Sequence, residues 1–385
     1  MKHSILSSSI ALVIGSSATL ASAVTLYDYK EATSAYEDAY VNGQFDLQSG
    51  NQDQSSYNLE LSADYERVFS SPDQNTKIDF SGNTSRNRGP NEGDKSEKSY
   101  QATGSITSDQ YFTPGSSGAF WYGKGEIGAR TDMEDPFTAV TLGVGYGRVV
   151  NATPMIRAIR LIEALQERGL LQGAPSVATY QAIAEVIAKE SEYRSRYGSA
   201  DYQMEWMSDI ESALGRDLNV RGTIRIYDVL NKERISTRKY GWLVRAGVGS
   251  VISNYDGSDS KPALEVGAEY HYPISNSLQF SNETLLTTVI DDGEDSLNAQ
   301  NRMALTYEIS DRIDWENGWQ LDYSGYEGAR DITMNTLISS YRYYLSNELS
   351  FDLTGKLTHL DDDISDNDND EISKSLTMGV TYRLK

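Results

Sequence analysis

The stretch Asp38-Ala39-Tyr40-Val41-Asn42-Gly43-Gln44-Phe45-Asp46-Leu47 alternates between two kinds of side chain. Its odd positions are apolar or small, whereas its even positions are polar or charged, apart from the amphipathic Tyr40. A β-strand with this period of two presents one apolar face and one hydrated face. The stretch therefore predicts a strand that separates an apolar environment from water.

The same alternation recurs in segments along most of the chain and predicts about 14 strands, which is an even number. Every second connection is long and polar, and the alternate connections are mostly tighter. These longer connections are Ser49–Ser56, Arg86–Lys98, Thr131–Phe137, Ser253–Pro262, Asp291–Ser296, Tyr326–Ile332 and Asp361–Glu371. Long loops on one side and tight turns on the other are typical of transmembrane barrels. The sequence therefore predicts an all-β transmembrane antiparallel barrel.

Aromatic residues fall at the strand ends that the loop pattern assigns to the tight-turn side. They are Tyr65, Trp121, Tyr146, Tyr240, Trp242, Tyr272, Tyr307, Trp319, Tyr343 and Tyr382. Trp and Tyr favour membrane interfaces, where one end of the ring is buried and the other is wet. These residues predict an aromatic girdle on the periplasmic side. A soluble antiparallel sandwich shares the alternation, but its loops need not sort by length.

Residues 1–23 have the features of a cleaved signal peptide. Lys2 is followed by a serine-broken apolar run, Ile5–Leu20, and then by the small residues Ala21-Ser22-Ala23. The run is too short and too polar for a membrane helix, so we expect the mature chain to begin at Val24. The chain has no cysteine and a net charge of −22, which argue against disulfides and against nucleic acid as a partner.

Residues 151–238 interrupt the alternation with a helical period. Thr153-Pro154 and Pro175-Ser176 predict helix starts, and Gly198-Ser199 predicts a break before a third helix that ends at Gly215. A fourth, shorter helix is expected over Thr223–Asn231. The predicted domains are thus strands in 24–150, a helical insert in 151–238 and strands in 239–385, with the insert on the periplasmic side.

The insert contains a group of large side chains, Met204, Trp206 and Met207, that are candidates for an exposed contact patch. The alternative is that they belong to the core of the helices, where Met and aromatic residues are common. The whole insert has two alternative interpretations. It is either a gate, plug or partner-docking module, or a simple brace for the barrel rim.

Charged residues are predicted to face the barrel lumen on several strands. The candidates are Asp38, Asp46, Glu60, Asp64, Arg245, Arg302, Arg342, Lys356 and Arg383. Acids dominate the early strands and bases the later ones, which is compatible with a transverse field that screens polar solutes. The alternative is that these groups pair with one another and fill the lumen.

The loop DDDISDNDNDE (residues 361–371) is strongly acidic, and Asp366, Asp368 and Asp370 have the spacing of a calcium loop. The glycine that an EF-hand turn requires is missing, so a solvated loop beside lipopolysaccharide and its divalent cations is the preferred interpretation. His271 and His359 are the histidines left after cleavage, and no catalytic cofactor motif is present. We therefore expect no enzyme, cofactor or dedicated metal site; a lipid hydrolase is a remote alternative.

Taken together, the leader, the alternating strands and the sorted loops resemble Gram-negative outer-membrane β-barrel proteins of the porin-like class, over nearly all the chain outside residues 151–238. The resemblance implies location in the outer membrane, contact with lipid and lipopolysaccharide, and periplasmic termini. It also implies a channel for small polar solutes or a polymer, with the insert as gate, plug or docking site for a periplasmic protein. A scaffold or surface-binding protein that transports nothing is the competing hypothesis.

Overall fold

A computed structural model describes residues 24–31, 33–50, 52–258, 260–291, 295–326, 330–362 and 371–384. The predicted signal peptide (residues 1–23) and the Asp366, Asp368 and Asp370 group lie outside these residues. Within the described ranges, no helix is both long enough and apolar enough to cross a membrane.

Antiparallel strands form a closed barrel in chain order, with β1 beside β14. The strands before the helices are β1 (Ser34–Gln48), β2 (Ser56–Ser70), β3 (Gln74–Arg88), β4 (Glu97–Tyr111), β5 (Ala119–Arg130) and β6 (Phe137–Asn151). Those after the helices are β7 (Lys239–Ser253), β8 (Lys261–Pro273), β9 (Leu278–Val289), β10 (Ser296–Ser310), β11 (Ile313–Tyr326), β12 (Ile332–Tyr344), β13 (Leu349–Asp361) and β14 (Ser373–Arg383). The predicted barrel of 14 strands is confirmed.

The two ends of the barrel differ in their connections. At the end where β6 leads into the helices, which we call the helix end, only Asp311 and Arg312 separate β10 from β11. At the opposite end, which we call the loop end, residues 89–96 join β3 to β4. Apart from the helices and residues 112–118, the connections at the helix end have two to four residues and those at the loop end have five or more, which confirms the predicted sorting by length. One residue of the predicted aromatic girdle is corrected. Strand β11 begins at Ile313, earlier than expected, so Trp315 and not Trp319 lies at the helix end.

The outer face of the barrel is apolar and exposed, as the alternation predicts. On β6, Leu142 and Val144 are 65% and 60% exposed, whereas Thr141, the residue before Leu142, is buried. On β8, Leu264 and Val266 are exposed while Glu265 is buried. A closed sheet that turns its apolar side chains outward and its charges inward is suited to lipid around it, since lipid imposes no cost on exposed Leu or Val.

Four helices lie between β6 and β7: α1 (Thr153–Glu167), α2 (Val177–Ala188), α3 (Glu190–Leu214) and α4 (Val220–Asn231). The expected break at Gly198 is present, because this residue is not helical and divides α3 into two segments, of which the second is the helix predicted to end at Gly215. Gly198 has φ of 80°, a left-handed conformation that glycine adopts without a steric cost. The chain therefore bends at Gly198, and an additional helical segment that begins at Glu190 precedes the bend.

The helices share one hydrophobic core, and α1 lies at its centre. Apolar residues cover most of the circumference of α1, and the fully buried ones include Met155, Ile156, Ile159, Ile162 and Leu165. A helix that is apolar nearly all round must be covered on most sides. Part of that cover comes from the segment before β1, whose Val24, Leu26 and Tyr29 belong to the same core.

Candidate functional site

The barrel lumen narrows from the loop end toward the helix end. Along the inward face of β4, Thr103 is exposed, Ser105 and Thr107 are half-buried, and Asp109 is buried. Side chains that face a water-filled space keep their exposure, and those that meet other side chains lose it. The lumen is therefore open to water at the loop end and filled at the helix end, at least along this strand.

Aromatic side chains of β5 fill the lumen beside β6 and β7. Phe120 and Tyr122 are fully buried there. They lie against glycines: a Cβ atom at Gly145 would be 2.3 Å from Cζ of Phe120, and one at Gly143 would be 2.5 Å from Cε1 of Tyr122. No side chain larger than hydrogen fits at either position with the rings in place, so these glycines allow the rings to occupy the lumen.

Ion pairs occupy the same part of the lumen. Arg245 on β7 is 2.8 Å from Asp109 on β4 and 2.7 Å from Glu269 on β8, measured between nitrogen and carboxylate oxygen. Lys124 on β5 is 2.8 Å from Glu265 on β8. The Arg245–Asp109 and Lys124–Glu265 pairs join strands that are not neighbours in the sheet, so they bridge the interior, whereas Arg245 and Glu269 lie on neighbouring strands. Such pairs fix the positions of groups that would be costly to bury alone.

The linker between α4 and β7 is anchored to the barrel wall at the helix end. Its Arg238 is fully buried and lies 3.0 Å from Glu308 of β10, and Arg160 of α1 lies 2.8 Å from the same carboxylate. Burial lowers the pKa of the Arg238 guanidinium, and the charge of Glu308 opposes that effect. Ser236 donates a hydrogen bond of 2.7 Å to Asp314 of β11. One carboxylate thus holds both the helices and their linker.

The same linker continues across the mouth to the far wall. Arg234 donates to the hydroxyl of Tyr40 on β1 at 2.9 Å and lies over the ring of Tyr344 on β12. The hydroxyls of Thr237 and Tyr36, also on β1, are 3.2 Å apart. Between α4 and β7, the linker therefore touches β10, β11, β12 and β1, which places it over the opening at the helix end.

A second segment crosses the same opening. Tyr27, ahead of β1, packs on Tyr240 of β7 with ring centroids 5.2 Å apart. Glu31 lies 3.8 Å from Arg148 of β6, and both side chains are almost completely buried. The chain then enters β1, on the other side of the barrel in strand order. Residues 24–31 and the linker thus cover the helix end together, and the helices pack on them.

The predicted lumen residues divide into two groups. Three of the bases are paired: Arg383 lies 2.6 Å from Asp38 across the β14–β1 junction, Arg342 pairs with Asp352, and Arg245 pairs as described above. The others are exposed on the inward faces of their strands: Asp46, Glu60, Asp64, Arg302 and Lys356. Arg383 and Arg342 pair with residues on neighbouring strands. The lumen therefore has local ion pairs toward the helix end and hydrated charges elsewhere.

The predicted contact patch on the insert is corrected by the structure. Trp206 is fully buried in the helical core and donates a hydrogen bond of 2.8 Å to the carbonyl of Val186. Met207 is partly buried against the same core. Only Met204 is exposed, at 67%. The three residues do not form one surface, because successive positions on a helix point in different directions.

The barrel closes through a short seam. β1 pairs with β2 over Ser34–Gln48, but with β14 only over Tyr40–Gly43. Toward the loop end, the described residues of β1 and β14 show no further pairing, and a cavity of about 530 Å³ lies beside both strands. Its lining includes inward-facing Glu60 and outward-facing Leu61. The barrel wall is thus incomplete at this point.

Several residues of the closed end were not among the sequence predictions. Glu308 and Asp109 have the parity of inward-facing residues, which was the available signal for them. Arg160 and Arg238 carry no such signal, because their partners are set by how the helices dock. The closed end of the lumen therefore emerges only from the three-dimensional arrangement.

A closed antiparallel barrel with an apolar outer face and a charged interior defines a transmembrane β-barrel of the outer-membrane class. Within this chain, residues 230–328 match the family described as "Protein of unknown function, DUF481". The match covers the linker after α4 and strands β7 to β11, which is less than half of the chain. No curated protein matches the sequence.

Solved structures that share the barrel are distant. The translocator domain of the autotransporter NalP from Neisseria meningitidis is 7% identical, with a TM-score of 0.30 over 92% of this chain and 90% of that chain. A loop-deletion mutant of OmpT, an outer membrane protein of Vibrio cholerae, is 9% identical, with a TM-score of 0.34 over 91% and 99%. OprB of Pseudomonas putida is 8% identical, with a TM-score of 0.34 over 91% and 92%.

Proposed function

We propose that the protein is a gated transport barrel in the outer membrane of a Gram-negative bacterium, and that its helical module is the plug. The helix end would face the periplasm, because long loops of such barrels lie outside and short turns inside. Small polar solutes or a flexible polymer would pass once the module moves. The proposal assigns no catalytic residue and no cofactor.

The proposal is supported above all by Glu308, to which both the helices and their linker are anchored. Both Arg160 of α1 and Arg238 of the linker pair with this one inward-facing carboxylate. The linker and residues 24–31 then cross the opening, and the helices cover them. A brace for the barrel rim would need contacts only along the edge of the wall, whereas this linker spans the opening between Glu308 of β10 and Tyr40 of β1.

The exposed lumen residues at the loop end support a route for hydrated solutes. Asp46, Glu60 and Lys356 are exposed on the inward faces of β1, β2 and β13. Hydrated charges of both signs let water and polar solutes enter while they disfavour apolar ones. The route would thus be open to the outside and blocked on the periplasmic side.

A specific observation favours a second candidate function, in which the module binds a periplasmic protein and the lumen stays closed. Val220 and Ile224 on α4 are exposed, and so is Met204 on α3. Exposed apolar side chains on a helical surface are common at protein interfaces. In that case, loosening the module would change binding but would produce no conductance.

Single-channel recording on the full-length chain separates the two functions. Glu308→Gln removes the charge that anchors the module, so we expect more frequent and longer openings than in the wild type. Lys232→Gln is the matched control, since the Lys232 side chain is 66% exposed and pairs with Asp228 of α4. No openings in a folded Glu308→Gln barrel would favour the docking function.

A further inference from the structure

Three potential metal ligands converge on the lumen wall near the helix end. Glu269 and His271 are two residues apart on β8, so they share one face of the strand. It is the inward face, which also carries the buried Glu265. Glu283 is on β9 and pairs directly with Glu269 in the sheet register. One ligand atom from each of the three residues lies within 4.8 Å of the others. The topology thus brings an imidazole and two carboxylates to one point.

The imidazole of His271 is oriented toward the two carboxylates. Its Nδ1 is 2.9 Å from the hydroxyl of Ser281, which is its register partner on β9. Its Nε2 is buried, has no hydrogen-bond partner among the described residues, and lies 3.6 Å from Glu269 and 3.9 Å from Glu283. The side chain is only 2% exposed, so water does not readily satisfy that nitrogen.

The distances are close to those of a coordinated ion. Ligand atoms about 2.0–2.2 Å from a tetrahedral Zn²⁺ lie roughly 3.4 Å apart. The two observed separations from His271 need little adjustment to reach this value. Glu269 can use one oxygen for the ion, since its other oxygen pairs with Arg245 at 2.7 Å. A hydrogen bond at Nδ1 is also the usual support for a histidine that binds metal through Nε2.

The surrounding charges favour the binding of a dication, because negative charges are in excess. Glu269 and Glu283 are directly opposite each other on neighbouring strands, where like charges destabilise a sheet. The connected network holds five carboxylates and three cations, which leaves an excess of two negative charges. Its members are Glu66, Asp79, Asp109, Glu269, Glu283, Lys77, Lys239 and Arg245.

We propose that Glu269, His271 and Glu283 bind one divalent transition-metal ion, with Zn²⁺ as the first candidate. One imidazole and two carboxylates suit Zn²⁺ and its neighbours better than Mg²⁺ or Ca²⁺, which prefer oxygen ligands alone. The ion would cross-link β8 and β9 directly beside the filled part of the lumen. This site does not depend on whether the barrel transports anything.

The test is Zn²⁺ binding to the purified full-length protein in detergent, after removal of metal with a chelator. Isothermal titration should give about one site for the wild type, and His271→Asn and Glu283→Gln should abolish it. Ser281→Ala keeps all three ligands but loses the support at Nδ1, so binding should weaken by about 10–100-fold. Mn²⁺ should bind more weakly than Zn²⁺.

Matched controls are His359→Asn and Glu60→Gln, which change a histidine and a lumen carboxylate away from the cluster. Both should bind Zn²⁺ like the wild type, and all variants should keep the far-ultraviolet circular dichroism of a folded barrel. Absence of binding by the wild type would overturn the proposal, as would equal binding by the wild type, His271→Asn and Ser281→Ala.

Discussion

Arg238 and Glu308 form an ion pair in which the side chains are 0% and 1% exposed and the charged atoms are 3.0 Å apart. Arg238 is the last residue of the linker before β7, and Glu308 is on the inward face of β10. The Glu308 carboxylate also accepts a hydrogen bond from Arg160 of α1. The connection between helices and barrel therefore depends on one acidic side chain with two basic partners.

Glu308→Gln should detach the helical module. The substitution leaves the Arg238 guanidinium buried without its counter-charge, which costs about 3–5 kcal/mol. Arg160→Gln should cost about 1 kcal/mol or less, because Arg160 is partly exposed and its loss leaves the Arg238 pair intact. Hydrogen exchange of the α1 amides measures both effects. Equal exchange in the two variants would contradict the assigned role of Glu308.

Gly145→Ala should destabilise the barrel because the lumen has no space for a methyl group at that position. The new Cβ atom would be 2.3 Å from the ring of Phe120. Overpacking of this kind costs about 1–3 kcal/mol. Gly379→Ala on β14 is the control, since a Cβ atom there meets nothing within 4 Å. Free energies of unfolding in urea should differ between the variants; equal values would mean that the rings do not fill the lumen.

The attachment of residues 24–31 should weaken as the pH rises. Burial raises the pKa of the Glu31 carboxyl, although the Arg148 guanidinium opposes this. The folded state then holds its proton to a higher pH than the free chain does. Stability from Glu31 is full below the ordinary glutamate pKa and is lost as the pH rises through the raised value.

Glu31→Gln should remove that pH dependence, because the amide does not titrate. Protease cleavage within residues 24–31, followed from about pH 4 to pH 8, measures the attachment. The wild type should become more sensitive with rising pH relative to Glu31→Gln. Parallel profiles for the two proteins would show that Glu31 does not set the pH response.

Disulfide trapping should reveal the incomplete seam, and the absence of natural cysteine keeps the experiment clean. Phe45→Cys with Leu59→Cys should cross-link readily, since these positions pair between β1 and β2. Phe45→Cys with Met378→Cys should cross-link poorly, although extending the β1–β14 register would bring the two together. Equal yields would indicate that the seam is paired along its whole length.

The barrel follows from local sequence signals. The alternation within each strand predicts its inward and outward faces, as Asp38 and Ala39 do at the start of β1's quoted stretch. The lengths of the connections distinguish the two ends of the barrel. The break at Gly198 also follows from a local signal, because glycine readily adopts the positive φ found there. The helical segment before the break, which begins at Glu190 without a side-chain cap, was not predicted.

The closed end of the lumen follows from contacts between distant residues. Parity places Glu308 inside the barrel, but its partner Arg238 is 70 positions away in the sequence. Parity also puts Glu269 and His271 on one face, whereas the approach of Glu283 depends on the register between β8 and β9. Such juxtapositions are properties of the whole fold, so no local pattern predicts them.

Excision of the helical module tests the central claim most directly. Asn151 and Lys239 pair in the β6–β7 register, so an Asn-Gly turn in place of residues 152–238 should restore a hairpin. Conductance in planar bilayers should then change from rare openings in the full-length protein to a stable open channel in the excised one. A folded, excised barrel that conducts no better than the full-length chain would contradict the account of the module as a plug.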